Sequence, residues 1–175
     1  MGVFVGIDVS LENSAVCAVD EHGKLLRETK VASDPGALNA CIRSMPGVVE
    51  AIGIEAGPLS QWLHKSLTDL GLPVVLMETR QVKAALKAAP VKTDRRDAAG
   101  LARLLQMGWF RPVHCKSLSA QELRVLLGAR RSVQDAAINI EMSIRGMLRN
   151  FGLRLGRIGK VSFEDRVREL TDGNK

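Results

Sequence analysis

Apolar positions fall into two kinds of run along this chain. Near the start they are short and separated by turns: VFVGIDV (3–9), NSAVCAVD (13–20) and GKLLRETKV (23–31). Runs of this length, bounded by Asn, Asp and Gly, read as strands, and connections of a few residues predict an antiparallel meander of three. The period then changes. DPGALNACIRSM (34–45) offers Asp34 as a helix cap and Pro35 at the first helical position, with apolar residues at helical spacing behind them. VEAIGIEA (49–56) returns to a strand, GPLSQWLHKSLTDLG (57–71) is a helix closed by Gly71, PVVLME (73–78) is a fifth strand, and a helical segment follows over 79–88. Three strands and then two strand–helix alternations predict a mixed five-stranded α/β sheet with flanking helices, its first, fourth and fifth strands parallel.

Beyond Ser119 the spacing changes again. Leu123, Leu126, Arg130, Val133, Ala137, Ile140, Ile144, Met147 and Phe151 step by three and four, which predicts a long amphipathic helix able to pair as a coiled coil with another helix or with further copies of the chain, as a homodimer or higher homo-oligomer. Gly128 and Gly146 weaken it locally. No second apolar face is evident along it. A Gly- and Arg-rich tail follows, ending in a short charged helical stretch. The domain expectation is therefore a sheet domain over 1–115, a dimerising helix over 116–152, and a basic tail over 153–175 leading toward a further domain.

Composition narrows the class. Of 175 residues, 46% are hydrophobic and 25% charged, and with no Tyr and 3% aromatics the core must be aliphatic. MGVFVGI is broken by Asp8 and preceded by no basic segment, so neither a signal peptide nor a membrane span is expected, and the location expected is the cytoplasm. Cys17, Cys41 and Cys115 are odd in number and widely spaced, which predicts reduced, structural thiols. His22, His64 and His114 show no zinc-ligand spacing. The net charge of +6 hides a division: residues 1–77 carry nine acids and five bases, residues 78–175 ten acids and twenty bases. Such a basic half points toward a polyanion, and nucleic acid is the commonest.

Four carboxylates then stand out. Asp8 ends the first apolar strand and Glu55 the fourth, and functional groups in such sheets gather at the carboxyl ends of parallel strands. An acid ending a buried strand is costly unless solvated, paired or metal-bound. Asp94 and Asp97, three apart where a helix opens, share a face; as a cap and a first-turn acid, either alone has an ordinary explanation. Converging at one rim, the four would supply the hard oxygen ligands that Mg²⁺ or Mn²⁺ prefers. Lys92, Arg95 and Arg96, with Lys83 and Lys87 before them, would bring phosphate oxygens beside those acids.

GIDVS at the start, IGIEA on the fourth strand and KTDRRDA at the late helix together resemble the N-terminal domain of the DEDD transposases, recombinases of insertion sequences. The resemblance runs from about residue 3 to about 151, and KTDRRDA is its most specific motif. It implies a RuvC-like, ribonuclease H-like catalytic domain whose four acids fall on Asp8, Glu55, Asp94 and Asp97, using Mg²⁺ or Mn²⁺ for DNA strand cleavage and transfer. It further implies a dimerising coiled-coil helix, a structured guide RNA, and binding of donor and target DNA. Members of the family carry a second, C-terminal domain with a catalytic serine; no such segment follows residue 175, so the chain is expected to represent the N-terminal part.

Other readings make different predictions. A Holliday-junction nuclease on the same fold would share the mechanism and differ in substrate. A non-catalytic nucleic-acid-binding dimerisation module would leave the four acids as caps and turn residues. GIDVS also resembles the first phosphate loop of actin-like sugar kinases, but no second Gly-rich phosphate segment follows. Trp62 is expected in the core, Trp109 and Phe110 over a helix end, and Ser10 and Ser14 in turn chemistry.

Overall fold

The computed structural model describes residues 1–87 and 94–172, apart from the side chains of Asp94 and Arg95. The chain divides into two compact units, Met1–Lys116 and Ser117–Lys175.

The first unit follows the predicted alternation closely. β1 (Gly2–Asp8), β2 (Asn13–Asp20) and β3 (Leu25–Ala32) lead into α1 (Pro35–Arg43), β4 (Val48–Glu55), α2 (Ser60–Asp69), β5 (Val74–Met77), α3 (Thr79–Leu86) and α4 (Asp94–Gln106). They form one five-stranded sheet in the order β3-β2-β1-β4-β5. β2 is antiparallel to β1 and β3, while β1, β4 and β5 run parallel. Local signals act as read: the Asp34 carboxylate accepts from Ala37 N–H at 2.9 Å, and Gly23 takes a φ of 77° in the β2–β3 turn, a conformation that costs glycine little.

Strand alternation sorts the sheet into two packed faces. Val3, Val5, Ile7, Ile52 and Ile54 meet Leu38, Ile42, Leu63 and Leu67 of α1 and α2. Ala15, Cys17 and Val19 meet Ala98 and Ala102 of α4 on the other side. β2 is buried from Ser14 to Asp20 because it is covered on both faces. Trp62 departs from expectation: it is 49% exposed. α2 buries Ser60, Leu63 and Leu67, and a residue one position from Leu63 is turned about 100° off that stripe. Of the other aromatic pair, Phe110 packs beside Met77 and Leu101, while Trp109 remains exposed.

The second unit holds α5 (Leu118–Asn150) and α6 (Phe163–Thr171). α5 has the length the heptads predict, starting from a Ser117 cap that accepts from Ala120 N–H. Its apolar side chains are not confined to one stripe: Val125, Leu127, Ile138 and Met142 are exposed alongside Leu123, Leu126, Val133 and Ile140. α6 supplies a small core of its own, Phe163 with Leu148 and Leu155, and Ile144 packed against them. No helix among the described residues is long and apolar enough to cross a membrane.

Candidate functional site

Asp8 and Glu55 are the last residues of β1 and β4. The two strands are parallel neighbours with Ile7 opposite Ile54, so the next residue on each is one of these acids. Alternation also fixes their face. Phe4 packs toward α4, and a Cβ at Gly6 would overlap the Ala98 carbonyl oxygen and the Ala102 amide nitrogen. On β4, a Cβ at Gly53 would come within 2.7 Å of Leu105 Cδ1. Asp8 and Glu55 lie two residues beyond these glycines and thus on the α4 face. The glycines explain the form of both motifs, GID and GIE: the residue two before each acid must be bare for α4 to lie against the sheet.

The direction of α4 decides what reaches those acids. Its last residue, Gln106, donates from Nε2 to the Glu21 carbonyl at 2.9 Å, beside the β2–β3 turn. That turn lies at the start of β1, where Val3 pairs with Asp20. α4 therefore runs opposite to β1, and its first turn, with Asp94 and Asp97, points toward the rim where β1 and β4 end. Gly100 lets α3 approach, since a Cβ there would overlap Leu86 Cδ2.

At the rim, Asp8 and Glu55 line an open groove of about 340 Å³ together with Ser10, Gly57, Pro58 and Ser60. Its wall is braced from several sides. Ser60 Oγ accepts from Gly57 N–H and donates to Gly57 O, both at 2.7 Å, and Thr79 Oγ1 donates to the Ala56 carbonyl at 2.7 Å. Ser33 Oγ donates to Ser10 O at 2.7 Å and lies 2.8 Å from Ser14 Oγ, so Ser10 and Ser14 serve the loop, as turn chemistry requires. Ser60 was not singled out from sequence, although the GPLS turn that opens α2 is a visible signal for it.

The structure thus brings Asp8 and Glu55 to one groove. Asp97 is half-buried on α4 and does not line that groove. Among the described residues, no three His, Cys, Asp or Glu side chains form a group able to hold a metal ion. Asp94 is placed only by its backbone, at the start of α4. Arg96, Lys83 and Lys87 are exposed on α4 and at α3. Lys92 lies outside the described residues, as does the Arg95 side chain. In donor chemistry the Asp8 and Glu55 pair suits a hard divalent cation, because carboxylate oxygens are what such ions prefer and the groove admits water and a phosphate.

Over most of its length the chain is similar in sequence to transposases of insertion sequences. The transposase for insertion sequence element IS1111A of Coxiella burnetii is 27% identical over 163 residues, which cover 92% of this chain. Two structures of Thermus thermophilus RuvC, one in complex with a Holliday junction substrate, are each 21% identical. They give TM-scores of 0.46 and 0.45, covering 65% and 63% of this chain and 100% and 99% of theirs. The IS110-type DEDD transposase family, described as "Transposase", matches residues 5–152, and the chain belongs to that family. It spans 43% of the length of the Coxiella relative.

Proposed function

We propose that the chain is the acid-bearing part of an insertion-sequence transposase, which cleaves and rejoins DNA strands with Mg²⁺ or Mn²⁺ held by Asp8, Glu55, Asp94 and Asp97. The observation that carries this reading is the shared groove of Asp8 and Glu55 at the carboxyl ends of two adjacent parallel strands, on the face along which α4 directs its first turn. Family membership supports it. A divalent cation bound there would polarise the scissile phosphodiester and stabilise the leaving oxygen. The protein's own contribution is to hold hard oxygen donors on rigid elements. The strand ends fix Asp8 and Glu55, and Asp94 and Asp97 stand three apart along the first turn of α4. Lys92, Arg95 and Arg96, with Lys83 and Lys87 on the approach, draw the phosphate backbone against a rim that acids alone would repel. DNA is the substrate in this reading, a structured guide RNA selects it, and two copies pair through the exposed apolar residues of α5.

Metal-directed scission tests the site without requiring turnover. Fe²⁺ with ascorbate and peroxide, bound in place of the native ion, is expected to cut the polypeptide near residues 8, 55 and 94–97, and Mg²⁺ to suppress the cuts. Cuts scattered along the chain and insensitive to Mg²⁺ would overturn the four-acid assignment.

A further inference from the structure

The second unit carries a set of cations to which the proposed metal chemistry assigns no role. From Arg145 to Lys160 the sequence has five basic residues, Arg145, Arg149, Arg154, Arg157 and Lys160, and no acid. The chain reverses within this run. Gly152 and Gly156 adopt φ of 74° and 68°, and Leu153 N–H closes the end of α5 by donating to the Leu148 carbonyl at 3.1 Å. The reversal brings Arg154 back to Arg149. Both line two hollows, of about 260 and 390 Å³, and Arg145 also lines the first.

Arg145 is committed to structure. Its Nη1 donates to Gly156 O at 2.9 Å, and its guanidinium lies 5.2 Å from the centre of the Phe163 ring. Arg149 and Arg154 are exposed, and among the described residues neither forms an ion pair. The acids of α6 are engaged elsewhere: Glu164 pairs with Arg168 and Glu169 with Arg166. Arg149 gains something from the carboxyl end of α5, which favours a cation. Arg154 lies beyond that helix, and nothing in the fold requires a cation there. Guanidinium groups gathered around one hollow repel each other unless an anion sits among them.

We propose that Arg149 and Arg154, on a turn fixed by Arg145, form a binding site for the phosphodiester backbone of a nucleic acid. The planar fork of Arg matches phosphate oxygens. Two hollows sharing the same pair of arginines accommodate successive phosphates, and Arg157 and Lys160 continue the acid-free run. Phe151, 76% exposed at the end of α5, offers a ring to an unpaired base. The site belongs to the second unit alone, and the proposal does not depend on metal at the carboxylate rim.

The test is binding of labelled single-stranded RNA, single-stranded DNA and duplex DNA of equal length to the full chain, in EDTA, across a salt series. An Arg149→Ala, Arg154→Ala variant is expected to bind about tenfold or more weakly at low salt. Its log K against log salt slope should be shallower by about 1.8 for duplex and about 1.4 for single strands, the loss of two phosphate contacts. An Arg149→Lys, Arg154→Lys variant should recover most of the slope, which a folding defect would not. A fall on all three probes assigns the site to the shared backbone; a fall confined to RNA assigns it to RNA. Unchanged affinity and slope in the alanine variant would overturn the proposal. The Fe²⁺-directed cuts near residues 8, 55 and 94–97 should be the same in the alanine variant as in the parent chain, so failure here is distinguishable from failure of the metal reading.

Discussion

A single methyl group at position 6 would collide with the backbone of α4 at Ala98 and Ala102. Backbone cannot yield as a side-chain tip can, so Gly6→Ala is expected to destabilise the first unit by about 1–3 kcal/mol. It should also displace the first turn of α4 from the rim; urea unfolding measures the first effect and hydrogen exchange of α4 amides the second. Asp20 gives a pH-dependent counterpart. The Lys24 N–H donates to its carboxylate, and His22 N–H adds a second bond, each at 2.9 Å; together they hold it below the ordinary carboxylate range against partial desolvation. A carboxylate depressed in the folded state contributes stability above its unfolded pKa, about 3.9, and loses it as pH falls through the folded value. Asp20→Ala should therefore lower Tm at pH 7, with the deficit shrinking as pH drops below about 4. Burial, reinforced by Glu28, pushes the Cys17 thiol up to about 11, so native alkylation at pH 8 should spare Cys17 and label it only after unfolding. At this scale the sequence told which residue was an acid at a strand end, but not which face it took. That depended on Gly6 and Gly53, whose role emerges only once α4 is seen lying over them. Trp62 was misjudged for a related reason: helical period identifies a stripe, not the width of the surface that covers it.

Among the elements, α4 and α5 carry most of the proposed function. The strand and helix sequence of the first unit was legible because short Val- and Ile-rich runs bounded by turn residues leave few alternatives. The direction of α4 was not, because it is fixed by long-range contacts, Gln106 to the β2–β3 turn at one end and Ala98 to β1 at the other. The 111–113 segment was also illegible: Val113 N–H donates to Leu76 O at 2.8 Å and Met77 bridges Pro112, so a loop covers the edge of β5 without any strand-like pattern. α5 is exposed along most of its apolar residues, which pairing between copies would bury. Leu126→Glu with Val133→Glu should cost that pairing about 3 kcal/mol, roughly a hundredfold in Kd. Sedimentation velocity on the double variant should show monomer where the parent chain shows dimer; a parent chain that is monomeric at high concentration contradicts pairing through α5.

Across the whole molecule, charge is divided: residues 1–77 carry nine acids and five bases, residues 78–175 ten acids and twenty bases. In the proposed function the first part supplies strand-end carboxylates and the basic remainder binds the polyanion. That division was visible by counting. The association of Arg149 with Arg154 was not, because two glycines with left-handed backbone bring them together. The central claim is that Asp8 and the acids of α4 serve one cation. It is tested most directly by Mn²⁺ calorimetry on the parent chain, Asp8→Ala, Asp97→Ala and the double variant, with duplex DNA absent and then present. Ligands of one ion do not act independently, so each single change should remove most of the affinity and the double change little more. Losses that simply add, or Mn²⁺ binding that survives the double change with and without DNA, would contradict the shared site.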